Sequence, residues 1–170
     1  MEYATCCQDD VVVFDKDGNH IDGSRKPTIE KDMHIFIYQA RPDINAILHT
    51  HPLYSTVFAS LQMDIPAITE EFAQVLGRKV ICSKYFLPGS EELAKAVVEA
   101  LGKDRMACLL VSHGALCAGE NMNAAFKASD VLEKASQIYY MAKVLGQPRI
   151  IPDDEVDFMN DFFHNKYGQR

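Results

Sequence analysis

Two apolar runs that each end in histidine constrain this chain more than any other feature. Asn45-Ala46-Ile47-Leu48 leads into His49-Thr50-His51-Pro52, and Ala107-Cys108-Leu109-Leu110-Val111 leads into Ser112-His113-Gly114. Short, apolar and bounded by turn residues, both runs read as buried strands. Residues two apart on an extended backbone point to the same side. His49 and His51 therefore leave the first strand as a pair able to chelate a metal ion, and His113 leaves the second strand at its C-terminal end. Three imidazoles keep one coordination position open, which is the pattern of catalytic zinc. The competing reading is two hydrogen-bonded core histidines and one turn histidine.

The remaining composition narrows the class. At 170 residues and 48% hydrophobic, the chain is read as a single domain, residues 1–170, with enough apolar residues for a full core. A formal charge of −7 argues against a nucleic-acid partner but leaves room for a local cationic patch that holds a small anion. No apolar stretch approaches the roughly 20 residues of a membrane helix, so no membrane partner is expected. Met1-Glu2-Tyr3-Ala4 is neither basic nor apolar enough to open a signal peptide. The five cysteines are odd in number and contain no C-x-x-C pair, which is cytoplasmic usage and not a disulfide frame.

Along the chain, Asp10–Asp15 reads as a strand, with a turn at Asp17-Gly18 and a return strand from His20. Pro27-Thr28 opens a helix with Thr28 as its N-cap and Ile29, Met33, Phe36 and Ile37 as its apolar stripe. Glu30 lies off that stripe in the first turn, where a carboxylate suits the helix dipole. Further helices are read after Pro52, over Glu70–Leu76, after Ser90, from about Asn123 to Leu145, and after Pro152 with Asp153 as N-cap. Lys79–Cys82 reads as a strand. The long helix carries Phe126, Val131, Leu132, Ala135, Ile138, Tyr139, Ala142 and Leu145 at helical spacing, and the last one turns Val156, Met159, Phe162 and Phe163 inward. Strands and helices mixed in this order describe a layered α/β domain, with at least one hairpin making part of the sheet antiparallel.

Taken alone, Glu30 reads as an ordinary exposed first-turn glutamate. Beside a metal-bound hydroxy-ketone, a carboxylate there could move a proton to or from carbon. Ser90 is most simply an N-cap, and His34 faces no obvious partner. The sequence holds no G-x-G-x-x-G, P-loop or G-x-S-x-G motif for a dinucleotide, a nucleoside triphosphate or a serine hydrolase.

Several pieces in order resemble the class II aldolase family of L-fuculose-phosphate aldolase and L-ribulose-5-phosphate 4-epimerase. They are Lys26-Pro27-Thr28-Ile29-Glu30, His34, Arg41-Pro42-Asp43, His49-Thr50-His51-Pro52, Pro88-Gly89-Ser90-Glu91-Glu92-Leu93-Ala94, Leu110-Val111-Ser112-His113-Gly114 and the glutamate of Glu133-Lys134-Ala135. The resemblance covers essentially the whole chain. It implies a three-layer α/β/α fold whose central sheet is mostly antiparallel, with helices on both faces. It implies Zn2+, or another divalent metal, on His49, His51 and His113, with Glu30 as acid/base beside it. It also implies a homotetramer with active sites between neighbouring subunits. The tail Tyr167-Gly168-Gln169-Arg170 is similar to one in which a tyrosine reaches a neighbour's site as proton donor, which assigns that role to Tyr167. The implied reaction is retro-aldol cleavage, through an enediolate, of a ketose phosphate resembling L-fuculose 1-phosphate, giving dihydroxyacetone phosphate and a short aldehyde.

Two departures bear on the phosphate. The family's N-terminal helix and Gly-Asn-containing hairpin, which help hold it, are expected to be missing ahead of this chain's start. The family's Pro-Ser-Ser-Glu is here Pro27-Thr28-Ile29-Glu30, so Thr28 keeps a substrate-binding hydroxyl while Ile29 has none to donate. Activity is therefore expected to be impaired relative to the family. The alternatives are 4-epimerisation, decarboxylation or dehydration at the same metal, a non-catalytic scaffold like the adducin head, and a metal-dependent hydrolase.

Overall fold

The structure is a computed structural model, and it describes residues 5–166. In chain order a hairpin of β1 (Val13–Phe14) and β2 (His20–Asp22) precedes α1 (Lys31–Ala40) and β3 (Ala46–Thr50). Then come α2 (Leu53–Ser60), β4 (Ile65–Pro66), α3 (Glu70–Leu76), β5 (Lys79–Cys82) and α4 (Glu91–Leu101). β6 (Ala107–Leu110), β7 (Gly114–Gly119), α5 (Met122–Leu145) and α6 (Asp153–Asn165) complete the order.

The two histidine-terminated runs are strands of one five-stranded sheet, ordered β3-β7-β6-β5-β4. Only β5 and β6 pair in parallel; the other three pairings are antiparallel. Both faces of the sheet are covered, which is why its central strands carry no polar alternation. Ala107, Leu109, Ala115 and Cys117 face α2, α3, α5 and α6, while Cys108, Leu110, Leu116 and Ala118 face α1 and α4. This is the α/β/α layering that the resemblance implied. Each large apolar side chain fully buried in these layers contributes about 2 kcal/mol.

Helix starts follow local chemistry. Ser90 accepts the Leu93 amide at 3.2 Å as the N-cap of α4, and Gly102 ends that helix at φ +60°. Asn121 does the same for α5, taking the Ala124 amide at 2.9 Å. Arg41 closes α1 and ties it to the end of α4. It is buried, grips Asp43 through Nε and Nη2 at 2.8 and 2.6 Å, and donates Nη1 to the carbonyls of Gly102 and Arg105.

Three expectations change. α1 begins at Lys31 and not at Thr28, and Ile29 is 66% exposed instead of lying on the apolar stripe. Thr28-Ile29-Glu30-Lys31 forms a turn, closed by the Lys31 amide on the Thr28 carbonyl, in which the Thr28 hydroxyl takes the Glu30 amide at 3.3 Å, so Glu30 itself occupies the N-cap position. Pro152, not Asp153, is the N-cap residue of α6. Phe126, Ile138 and Leu145 on α5, and Phe162 on α6, are exposed. α5 is 24 residues long, about 36 Å. Its seat on the sheet uses Ala128, Val131, Leu132, Ala135 and Tyr139, and the rest of its apolar spacing faces outward.

Removing the Arg41 side chain takes charged donors from two backbone carbonyls. Arg41→Ala is expected to lower stability by about 2–3 kcal/mol. Asp43→Asn, whose carboxylate is half exposed, should cost less than about 1 kcal/mol. Urea unfolding of both variants measures the difference.

Candidate functional site

Strand register brings the histidines together. β3 pairs antiparallel with β7 so that His49 lies opposite Leu116 and Thr50 opposite Ala115. β6 and β7 are joined by a tight turn, closed by the His113 amide on the Leu110 carbonyl at 3.0 Å, with Ser112 held at φ +56°. That turn hangs His113 beside the end of β3. The rings of His49, His51 and His113 lie 4.8–5.0 Å apart, centroid to centroid, and one ring nitrogen of each falls within 4.8 Å of the others. Gly114 makes this approach possible. A Cβ there would meet the Thr50 carbonyl oxygen at 2.5 Å and His51 Cδ2 at 2.7 Å.

Glu30 completes the cluster. As the N-cap residue of α1 it is drawn inward, its side chain only 12% exposed. Its Oε2 lies 3.2 Å from His49 Nε2, and its Oε1 lies 3.4 Å from His113 Nε2.

The protonation states decide what these contacts mean. His49 Nδ1 lies 3.0 Å from the Ala115 carbonyl, which can only accept, so Nδ1 carries the hydrogen and Nε2 presents a lone pair. Burial pushes the His49 pKa below its ordinary 6.5; the Glu30 carboxylate and the Ala115 bond oppose the shift, and the other two histidines add to it. At neutral pH, His49 is therefore uncharged and its contact with Glu30 is not a salt bridge. His49 Nε2 also lies 3.3 Å from His113 Nε2. A single His113 proton could meet only one of these contacts, and Glu30 Oε1 is buried without a hydrogen-bond partner.

Lone pairs converging this way fit a cation. Two nitrogens each about 2.0–2.1 Å from a tetrahedral zinc lie about 3.3 Å apart, which matches the His49–His113 separation. Three neutral imidazoles and one carboxylate are a donor set suited to zinc and similar divalent ions.

Of the other candidates, Thr28 sits at the rim, two residues from Glu30. It lines a cavity of about 660 Å³ together with Lys16, Arg25, Lys26, Lys31 and His34. Tyr167 lies outside the described residues. His34, read from sequence as facing no partner, is one helical turn from Glu30 and close enough to feel it. Burial and the neighbouring His49 push its pKa down, and Glu30 pulls it up. Sequence reasoning also missed two supports of the site. The closeness of Gly114 to His51 has no local signal. Glu133, noted only as part of the resemblance, receives hydrogen bonds from the start of α2, 78–79 residues away.

Comparison with known proteins shows the family. Residues 1–140 match the family described as the class II aldolase and adducin N-terminal domain. The chain is 39% identical, over all of its length and 78% of the relative's, to 5-deoxy-D-ribulose 1-phosphate aldolase of Bacillus thuringiensis serovar kurstaki. It is 31% identical, over the same shares, to L-fuculose phosphate aldolase of Escherichia coli strain K12. A solved L-fuculose 1-phosphate aldolase superposes with a TM-score of 0.93 at 36% identity, covering 96% of this chain and 76% of that one. The chain belongs to the class II aldolase family. Its relatives support an aldolase, and so a lyase, activity on a small molecule. Among the described residues no helix is long and apolar enough to cross a membrane.

Because the folded His49 pKa lies below the unfolded one, the unfolded chain takes up a proton first on acidification. Stability from neutral His49 is whole above pH 6.5 and is lost as pH falls through the depressed folded value. In metal-free protein, NMR titration should place the His49 midpoint below 6.5, and His49→Gln should flatten the acid limb of stability. Gly114→Ala should cost about 1–3 kcal/mol through overpacking against Thr50 and His51, read by thermal unfolding, and should weaken metal uptake.

Proposed function

We propose that this chain is a divalent-metal-dependent aldolase, with zinc as the metal, that cleaves a ketose 1-phosphate to dihydroxyacetone phosphate and a short aldehyde. The observation that carries the reading is the Glu30 carboxylate, its Oε1 buried without a hydrogen-bond partner, facing the neutral His49 ring and His113. His49, His51 and His113 would hold the ion. When bound, it would offset negative charge collecting on the C2 and C3 oxygens of the substrate.

The chain's own groups account for the protons. The C4 hydroxyl gives its proton, relayed through Tyr167, to the Glu30 carboxylate as the C3–C4 bond breaks, and C4 leaves as the aldehyde. The electron pair stays at C3, conjugated with the C2 carbonyl as an enediolate, and C3 then takes a proton from Glu30. Glu30 suits this role because it is mostly shielded from water and sits within hydrogen-bond reach of the histidine cluster. Tyr167 is assigned to the proton exchange at the aldehyde oxygen, reaching from a neighbouring subunit of a homotetramer. Exposed apolar side chains along α5, including Phe126, Met141, Val144 and Leu145, favour such assembly.

The substrate class follows from charge and kinship. Lysines 16, 26 and 31, with Arg25 paired to Asp10, outnumber Asp10 and Asp15 in the cavity that Thr28 and His34 line, and this cationic balance with the Thr28 hydroxyl suits a phosphate. Relatives named for 5-deoxy-D-ribulose 1-phosphate and for L-fuculose phosphate point to small deoxy-ketose phosphates as the first substrates to try.

Metal content and cleavage, measured together, test the proposal. The parent should carry close to one divalent ion per subunit. His113→Ala should lose both ion and cleavage. Glu30→Gln should keep the ion while cleavage falls by about 10²–10⁴-fold. Full cleavage by metal-loaded Glu30→Gln would overturn the proposal.

A further inference from the structure

We infer that Glu133 is a positioning residue for the three-histidine centre, acting by anchoring the helix that joins two of its histidine arms. The inference rests on reading that centre as a metal site.

α2 starts at Leu53, directly after His51-Pro52, and its N-cap residue is a proline whose side chain caps nothing. The first amides of any helix have no partner within it. Glu133 supplies the partner from α5. The Tyr54 amide donates to Oε1 at 2.7 Å, the Ser55 amide to Oε2 at 2.9 Å, and the Ser55 hydroxyl to Oε2 at 2.7 Å. All three partners are donors, so both oxygens must accept. A carboxylate satisfies this, and its charge suits a helix N-terminus. A glutamine amide of the same shape would turn an N–H toward one of the donors.

The two ends of α2 reach the site separately. Its N-terminus continues directly from His51. Near its C-terminus, the Ala59 carbonyl takes the Ser112 amide at 3.1 Å, which holds the turn that carries His113. Gly114 packs this turn close to the His51 arm, where even a Cβ would meet the Thr50 carbonyl oxygen at 2.5 Å and His51 Cδ2 at 2.7 Å. A shift of α2 is therefore passed to His51 and His113 together, while His49 stays fixed by the β3–β7 ladder.

Metal-free protein titrated with Co2+, followed by its visible absorption, tests the inference through affinity and spectrum and not through turnover. Folded Glu133→Gln is expected to bind Co2+ about 10–100-fold more weakly and with an altered band. Asn121→Ala removes the N-cap bond of α5 without touching the Glu133 contacts. It should lower the melting temperature and leave affinity and band unchanged. Parental affinity and spectrum in folded Glu133→Gln would overturn the inference and leave Glu133 as a stabiliser of α2 only. If Glu133→Gln does not fold, Ser55→Ala decides, because it removes one donor and keeps both amides. Weaker Co2+ binding supports positioning, and unchanged binding overturns it. A parent protein that takes up no Co2+ overturns the metal reading itself, and this inference with it. A parent that binds alongside unchanged variants overturns positioning alone.

Discussion

The bond from His49 Nδ1 to the Ala115 carbonyl governs the chemistry of the whole cluster. It sets the tautomer, and so turns the Nε2 lone pair toward Glu30 and His113. It exists because Thr50 pairs with Ala115 and His49 with Leu116. A one-residue slip would send His49 to the other face of the sheet. Burial on both faces resists that slip, because each central strand residue has its own apolar layer to fill. Core packing and site chemistry are therefore linked through one strand register.

Glu30 shows how a weak local signal becomes a strong tertiary one. A first-turn glutamate ordinarily stays in water. Here the turn from Thr28 to Lys31 delays the helix, and the Thr28 hydroxyl takes the Glu30 amide. The side chain is then carried toward the histidines instead of outward. It meets an imidazole that burial keeps neutral, so carboxylate and lone pairs converge without a compensating proton. Such a cluster favours a cation and disfavours a purely structural role, since a scaffold gains nothing from stacking acceptors against one another.

The helices divide the remaining work. α1 and α4 cover one face of the sheet and are joined by Arg41, whose backbone amide closes α1 on the Ile37 carbonyl and whose guanidinium holds the Gly102 and Arg105 carbonyls after α4. On the other face α5 lies along α2 and reaches under its first turn with Glu133. The apolar residues that α5 does not spend on the sheet, among them Phe126, Met141, Val144 and Leu145, face outward.

Much of this was legible in the sequence. The two histidine-terminated strands, the hairpin, the caps at Ser90 and Gly102 and the extent of α5 follow from local patterns, because strand burial and helix capping are short-range physics. The convergence of His49, His51 and His113 was also legible, since an i, i+2 pair and a strand-end histidine have few places to go. Residues 28–30 were misjudged, because Thr28 as N-cap and Thr28 in a preceding turn look alike over four residues. Phe126 and Leu145 were misjudged because helical spacing records apolar faces without saying which one the sheet takes. The tautomer of His49, the burial of Glu30, the need for glycine at 114 and the reach of Glu133 to α2 belong to the tertiary structure alone. Each depends on atoms brought together from segments far apart in the chain, and no local pattern carries that distance.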